Sequence, residues 1–252
     1  MLGAQMMTKD PAEFHAEVGL DVFPQVAPSA VEFAAYRGAD AILWHFRGAD
    51  GRLSLAATGD AEAALAMAAA WLAHAAEDCR CNLPRIPHER VTAVIPDVEP
   101  GDWEIRRSVE QPPARPGEER VVTLRPNEDE YARINAILDA ALPTAYTRPG
   151  SPRVANWYGI RDGADDNAPL LAVAADCSSH GVGMINSIGV RPDLQGHGLG
   201  GALTAAVTRR LRAENKVVQL GVVDTNIGAQ RLYARLGYTD VHALTSFTRR
   251  IA

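Results

Sequence analysis

Apolar residues recur along this chain in two rhythms, and the switch between them marks the elements. From Leu199 onward, Leu199, Leu203, Val207 and Leu211 return every four residues, while Thr204, Thr208, Arg209, Arg212 and Glu214 fall largely elsewhere. That spacing predicts an amphipathic helix with one core face. Just before it, Met184, Ile185, Ile188 and Val190 form a short apolar run that Pro192 stops, which predicts a strand. "VVQLGVVD" predicts another strand, ending near Val223, and Ala229, Leu232 and Leu236 put a second helix after it. Upstream, "RVVTLRP" reads as a strand and Glu128 to Leu142 as a helix with Ile134, Ile137, Leu138 and Leu142 on one side. "NWYGIR" and "PLLAVAAD" read as two strands of a meander, and Tyr238 to Val241 and Leu244 to Arg250 as the last two strands. In the N-terminal part the pattern predicts strands at Ala41 to Arg47 and Arg52 to Thr58. A helix follows from Ala61 to Glu77, capped by Asp60, then strands near Val91 to Ile95 and Trp103 to Arg107.

Between the two halves lies "EQPPARPGEE", Glu110 to Glu119, whose prolines suit an extended connector. The expected division is residues 1–110, a connector over 111–119, and residues 120–252.

The strand ending at Val190 and the helix from Leu199 are joined by a turn rich in glycine: Gly196, Gly198, Gly200 and Gly201. A first helical turn without bulky side chains lets an anion approach unsatisfied backbone N–H groups at the positive end of the helix dipole. The expected ligand carries a diphosphate. Read literally, Gly196, Gly198 and Gly201 also satisfy G-x-G-x-x-G, with Asp224 where a dinucleotide fold places its ribose-binding acid. Against that, Arg191 to Gln195 intervene between strand and first glycine, and too little chain follows for the further strands such a fold needs.

Gln195-x-x-Gly198-x-Gly200, after Val190-Arg191-Pro192, resembles the pyrophosphate loop of the Gcn5-related N-acetyltransferases. "DTNIGAQRLYARLGY", Asp224 to Tyr238, resembles the family's later motif, an Asn opening a helix that carries Ala, then Leu-Tyr, then Leu-Gly-Tyr. The resemblance covers roughly Val121 to Ala252. It implies an α+β fold, a mixed β-sheet flanked by helices, preceded by a smaller N-terminal α/β accessory domain. By element order, that domain is itself readable as a degenerate copy lacking the loop.

The resemblance further implies acetyl-CoA as co-substrate, lying where the strands ending near Val190 and Val223 splay apart. Ile188 and Val190 would offer main-chain groups to the pantetheine arm and thioester. The amides around Gly196, His197, Gly198, Gly200 and Gly201 would take the diphosphate, with Gln195 lining the turn and His197 at the solvent edge. Asn226 would cap its helix, touch the cofactor, or both. Tyr233 is the expected acid: an ordinary phenol, with a pKa of about 10, can protonate a departing thiolate. The implied acceptor is an amine, on a small molecule or a protein.

The base is open. Many relatives carry an acid on the strand before the loop, yet Gly181 to Val190 has only Asn186 and Ser187 as polar side chains. Asp176, His180 and His242 are the remaining candidates. Trp44, Trp103, Trp157 and Tyr158 are candidate wall residues, although for each of them core or interface packing is the first reading. An acyl-CoA-binding module without catalysis and a nicotinamide-dependent oxidoreductase are the alternatives from other classes.

Composition narrows the partners. The net charge is −6 and the sequence pI about 5.6. No long basic stripe supports nucleic-acid binding, and no apolar run is long enough to span a bilayer or open the chain as a leader. Cys79, Cys81 and Cys177 form neither an even disulfide set nor a metal quartet, so cytoplasmic location with ordinary thiols and no metal is expected. A monomer or homodimer fits equally.

Overall fold

The computed structural model describes residues 4–19, 30–48, 51–179 and 181–251. They fall into two compact units: Met1–Ile105 with Val223–Thr225 and His242–Ala252, and Arg106–Val222 with Asn226–Val241.

In the first unit β1 (Gln5–Thr8), β2 (Glu32–Arg37), β3 (Ala41–Arg47), β4 (Leu53–Gly59) and β5 (Cys79–Pro84) lie side by side in chain order. Leu244–Arg249 of the chain's final strand then pairs antiparallel with β5. Among these described strands only β4 and β5 run parallel, joined as parallel strands must be by a crossover, here helix α2 (Ala61–Leu72). Both faces of this sheet are covered. Leu43, Leu55 and Leu83 pack with Leu65 of α2, while Trp44 and Ala56 point the other way and pack with Phe33 and with Phe14 of α1 (Pro11–Val18).

Two of the expected elements differ. Val91 to Ile95 is not a strand: helix α3 (His88–Val94) runs between Pro87 and Pro96. Val91 is its buried position, and the C-cap Ile95, also buried, donates its amide to the Val91 carbonyl one turn back. The β-branched residues suggested a strand, but the proline brackets and the four-residue spacing of the buried pair decide for a helix. The predicted helix to Glu77 stops at Leu72. The segment "CRCNLP" is strand β5, with Cys79, Cys81 and Leu83 alternating into the core.

Strand β6 (Gly101–Ser108) carries the chain into the second unit. There β7 (Val121–Leu124), β8 (Asn156–Arg161), β9 (Leu170–Asp176) and β10 (Val182–Val190) form an antiparallel meander, and β11 (Val217–Val223) joins β10 parallel. Helix α4 (Glu128–Ala141) buries Ile134, Ile137 and Leu138, and packs on β9 and β10. A side chain at Gly189 would come within 3.3 Å of Ile137 and Leu138, so the helix sits directly on that glycine. Helix α5 (Leu199–Arg212) covers the opposite face through Leu203, Val207 and Leu211, and α6 (Ile227–Arg235) packs beside it through Leu232 and Tyr233. Tyr238 to Arg250, read as two strands, is one: β12 (Asp240–Arg249).

The proline-rich connector is not a loose tether. Arg209 of α5 pairs with Glu118 at 2.9 Å and donates to the Pro112 carbonyl at 2.8 Å, and Arg212 donates to the Val109 carbonyl at 2.7 Å.

Candidate active site

The parallel ladder of β10 and β11 is short. Val182–Ile185 pair with Val217–Leu220, and the register goes no further. The remaining backbone of β10 toward Val190 therefore has an edge not taken by β11, an opening in which a ligand's amides and carbonyls can add as a strand does. On its other edge β10 stays with β9, but with one residue too many: Asn186 pairs with Ala175 and Gly189 with Val173, leaving Ser187 and Ile188 together opposite Ala174. This β-bulge removes both residues from the β9 ladder, and Ser187 takes φ +49°, rare for a residue with a side chain. The amide of Arg191 donates to the Leu171 carbonyl of β9, so alternation turns Val190 to the open edge.

The turn after β10 divides its glycines by task. Gly196 and Gly198 have φ of +82° and +85°, and a side chain at either would meet nothing within 4 Å. They supply left-handed backbone on an open surface. Gly200 and Gly201 allow close packing instead: a Cβ would lie 3.4 Å from Val190 at the first and 3.4 Å from Leu232 at the second. Gly198 is the N-cap of α5 and has no side-chain cap. The first intrahelical amide is that of Ala202, which donates to the Gly198 carbonyl at 3.0 Å. The amides of Leu199, Gly200 and Gly201 thus lack intrahelical acceptors at the positive pole of a helix whose last turn carries Arg209, Arg210 and Arg212. Gln195 reaches back to donate to the Val190 carbonyl at 3.3 Å, and His197, exposed, has Nδ1 at 3.0 Å from the Gln195 carbonyl. These groups brace the turn and leave the free amides uncovered.

Asn226 is the N-cap of α6, its Oδ1 accepting from the Ala229 amide at 3.1 Å. One of its expected roles is therefore occupied by that oxygen. Tyr233 lies one helix face away, buried among Leu203, Leu236 and Tyr238, and burial pushes its phenol up to about 12. It is protonated throughout the physiological range, the state an acid requires. Tyr238 is also raised by burial, although its hydroxyl meets Thr208 Oγ1 at 2.6 Å.

The base candidates are not gathered here. Asp176 is buried and its Oδ1 accepts from the amide and hydroxyl of Ser178, an Asx turn at the end of β9. His180 lies outside the described residues, and His242 belongs to the first unit. Asn186 and Ser187 both turn to Thr147, at 3.4 and 2.7 Å. Of the proposed wall aromatics, Trp44 is fully buried core, the Trp103 indole donates to Ser246, Trp157 is buried, and Tyr158 is buried beneath the Arg210 guanidinium at 5.1 Å. A buried ion pair that sequence reasoning missed joins Glu130 of α4 to Arg161 of β8. Among the described residues no cluster of His, Cys, Asp and Glu fit to hold a metal is found.

A mixed sheet with helices on both faces, one parallel pair that parts midway and a glycine-led helix at the parting define the class of acyl-CoA N-acyltransferase folds. Residues 158–246 match the family model "FR47-like protein". Among solved structures, an acetyltransferase of the GNAT family from Novosphingobium aromaticivorans is 19% identical, with 78% of this chain and 84% of that one covered at a TM-score of 0.56. A GCN5-related N-acetyltransferase from Sphaerobacter thermophilus is also 19% identical, covering 86% and 80% at 0.54. A tandem GNAT protein from the clavulanic acid biosynthesis pathway is 14% identical, covering 98% of both chains at 0.53. The sequence matches no curated protein. These likenesses show the fold: the chain has the architecture of the Gcn5-related N-acetyltransferases, and the family match is confined to residues 158–246. No described helix is long and apolar enough to cross a membrane.

Proposed function

We propose that the second unit transfers an acetyl group from acetyl-CoA to an amine, on a small molecule or a protein, by direct attack. The observation that carries this reading is the coincidence of the β10–β11 parting with uncapped amides at the start of α5. Acetyl-CoA supplies an activated acyl group and a diphosphate. The amides of Leu199, Gly200 and Gly201, approached past Gly196 and Gly198, fit the diphosphate. Ile188 and Val190 offer backbone groups to the pantetheine arm and hold the thioester carbonyl for attack.

The amine nitrogen forms its bond to the carbonyl carbon, the carbon–sulfur bond breaks, and the Tyr233 phenol protonates the departing sulfur. The amine gives its proton to solvent or to a base that no residue of β10 provides, and Tyr233 regains a proton from the same pool. The first unit, similar in element order, reads as a second, degenerate copy of the fold.

One observation favours a silent acyl-CoA-binding module as the second reading: Asn186 and Ser187, the polar side chains on β10, are both engaged by Thr147. Dinucleotide binding finds no support, because β10 is antiparallel to β9 and Asp224 is held in a two-pronged pair by Arg85 at 2.7 and 3.0 Å. Screening amines for release of free coenzyme A thiol separates enzyme from module: turnover with any amine supports the first, binding without turnover the second.

A further inference from the structure

Ser187 is one of two described non-glycine residues with positive φ; the other is Asp97. A left-handed conformation is costly for a residue with a Cβ, and it persists only where the surroundings hold it. What holds Ser187 is visible. Its hydroxyl donates to the Thr147 carbonyl at 2.7 Å, and the neighbouring Asn186 amide donates to Thr147 Oγ1 at 3.4 Å. Thr147 lies in the stretch between α4 and β8, which has no regular element and is turned on itself by Arg148 contacts to the Ala145 and Pro143 carbonyls. Within residues 142–155 Thr147 alone is buried. A long irregular stretch is thus fastened by one buried residue, and its fastening point is the bulge of β10.

The bulge is where the chemistry of the proposed site begins, since it is what takes Ile188 out of the β9 ladder. We propose that Ser187 is a positioning residue: its hydrogen bond to Thr147 offsets the strain of its left-handed backbone, and so keeps the bulge formed and Ile188 turned to the parted edge of β10. Ser187 itself touches no reacting atom. Its role in catalysis rests on the acetyl-transfer reading; its role in the bulge does not.

Two substitutions separate backbone conformation from the hydroxyl. Ser187→Ala keeps the Cβ that makes positive φ costly and removes the hydrogen bond that offsets it. Ser187→Gly removes the hydrogen bond and the cost together. The amide resonance of Ile188, read without any ligand, moves in Ser187→Ala and stays near its wild-type position in Ser187→Gly. A resonance unmoved in alanine, or moved equally in both, overturns the proposal. With acetyl-CoA and the best amine from a screen, alanine lowers kcat about tenfold, glycine less than about threefold, and both keep the acetyl-CoA Kd within about twofold. Equal loss of kcat in both variants, or in neither, overturns the positioning role. Should alanine fail to fold, Thr147→Val with Thr147→Ser as its conservative rescue reads the same resonance, and an unmoved resonance in valine has the same force. Wild-type protein that transfers no acetyl group removes the functional reading, while the resonance arm still judges the bulge.

Discussion

Gly198→Val is the perturbation whose size the structure lets one work out. Gly198 has φ +85° and its Cβ would meet nothing within 4 Å, so valine finds room but not a comfortable backbone. The conformational cost is roughly 1–2 kcal/mol, and in a chain of 252 residues about 1 kcal/mol moves Tm by roughly 2–4 °C. Melting should therefore fall by a few degrees and the protein should remain folded. The effect on ligand is separate. Two methyl groups at the N-cap stand beside the amides of Leu199, Gly200 and Gly201, and a hydrogen bond to a charged group is worth about 1.5–3 kcal/mol. Losing one weakens the acetyl-CoA Kd by roughly 10- to 150-fold. Gly181→Val is the control, because Gly181 has φ +71°, equally open surroundings, and a place at the far end of β10. Calorimetric titration of both variants decides: if they bind acetyl-CoA alike, the diphosphate is not at the start of α5.

Tyr233→Phe should lower kcat by about 10²-fold or more, the low end for a positioned proton donor, and leave acetyl-CoA affinity nearly unchanged; equal kcat with chemistry rate-limiting excludes the acid role. Because burial raises this phenol to about 12, it stays protonated as pH rises, so wild-type turnover should show no alkaline loss from Tyr233 up to about pH 10. A loss centred well below that pH and absent in the phenylalanine variant would contradict the assignment. Glu130→Ala leaves the Arg161 guanidinium, only 7% exposed, without its partner and should cost about 3–5 kcal/mol in urea unfolding. Glu130→Leu combined with Arg161→Met should recover much of that loss, and a double variant no better than Glu130→Ala would show that the pair's charge is not the source.

Much of the second unit was legible because its signals are periodic and local. The four-residue recurrence of Leu199, Leu203, Val207 and Leu211 gave α5, and the alternation and punctuation around it gave β8 to β11 within a residue or so. What the sequence hid depends on contacts distant along the chain. "VTAVI" carries β-branched residues that favour a strand, yet Val91 is buried within a helix that Ile95, buried as well, closes as its C-cap. The alternation of Cys79, Cys81 and Leu83 is short and ends at Pro84, too brief a pattern to mark a strand before its parallel partner β4 is known. In the site, the glycines were found by spacing, but their division into left-handed hinges and close-packing positions needed the neighbours Val190 and Leu232. The bulge at Ser187 left no local mark at all: serine does not signal positive φ, and Thr147 lies 40 positions away.

On the proposed function, the parted strands and the glycine-led helix hold acetyl-CoA. Calorimetric titration of the purified protein, stripped of bound ligand, with acetyl-CoA and with NADH as matched control tests it most directly. The expected result is saturable binding of acetyl-CoA, weakened by Gly198→Val, and none of NADH. Binding of NADH alone, or of neither, would contradict it.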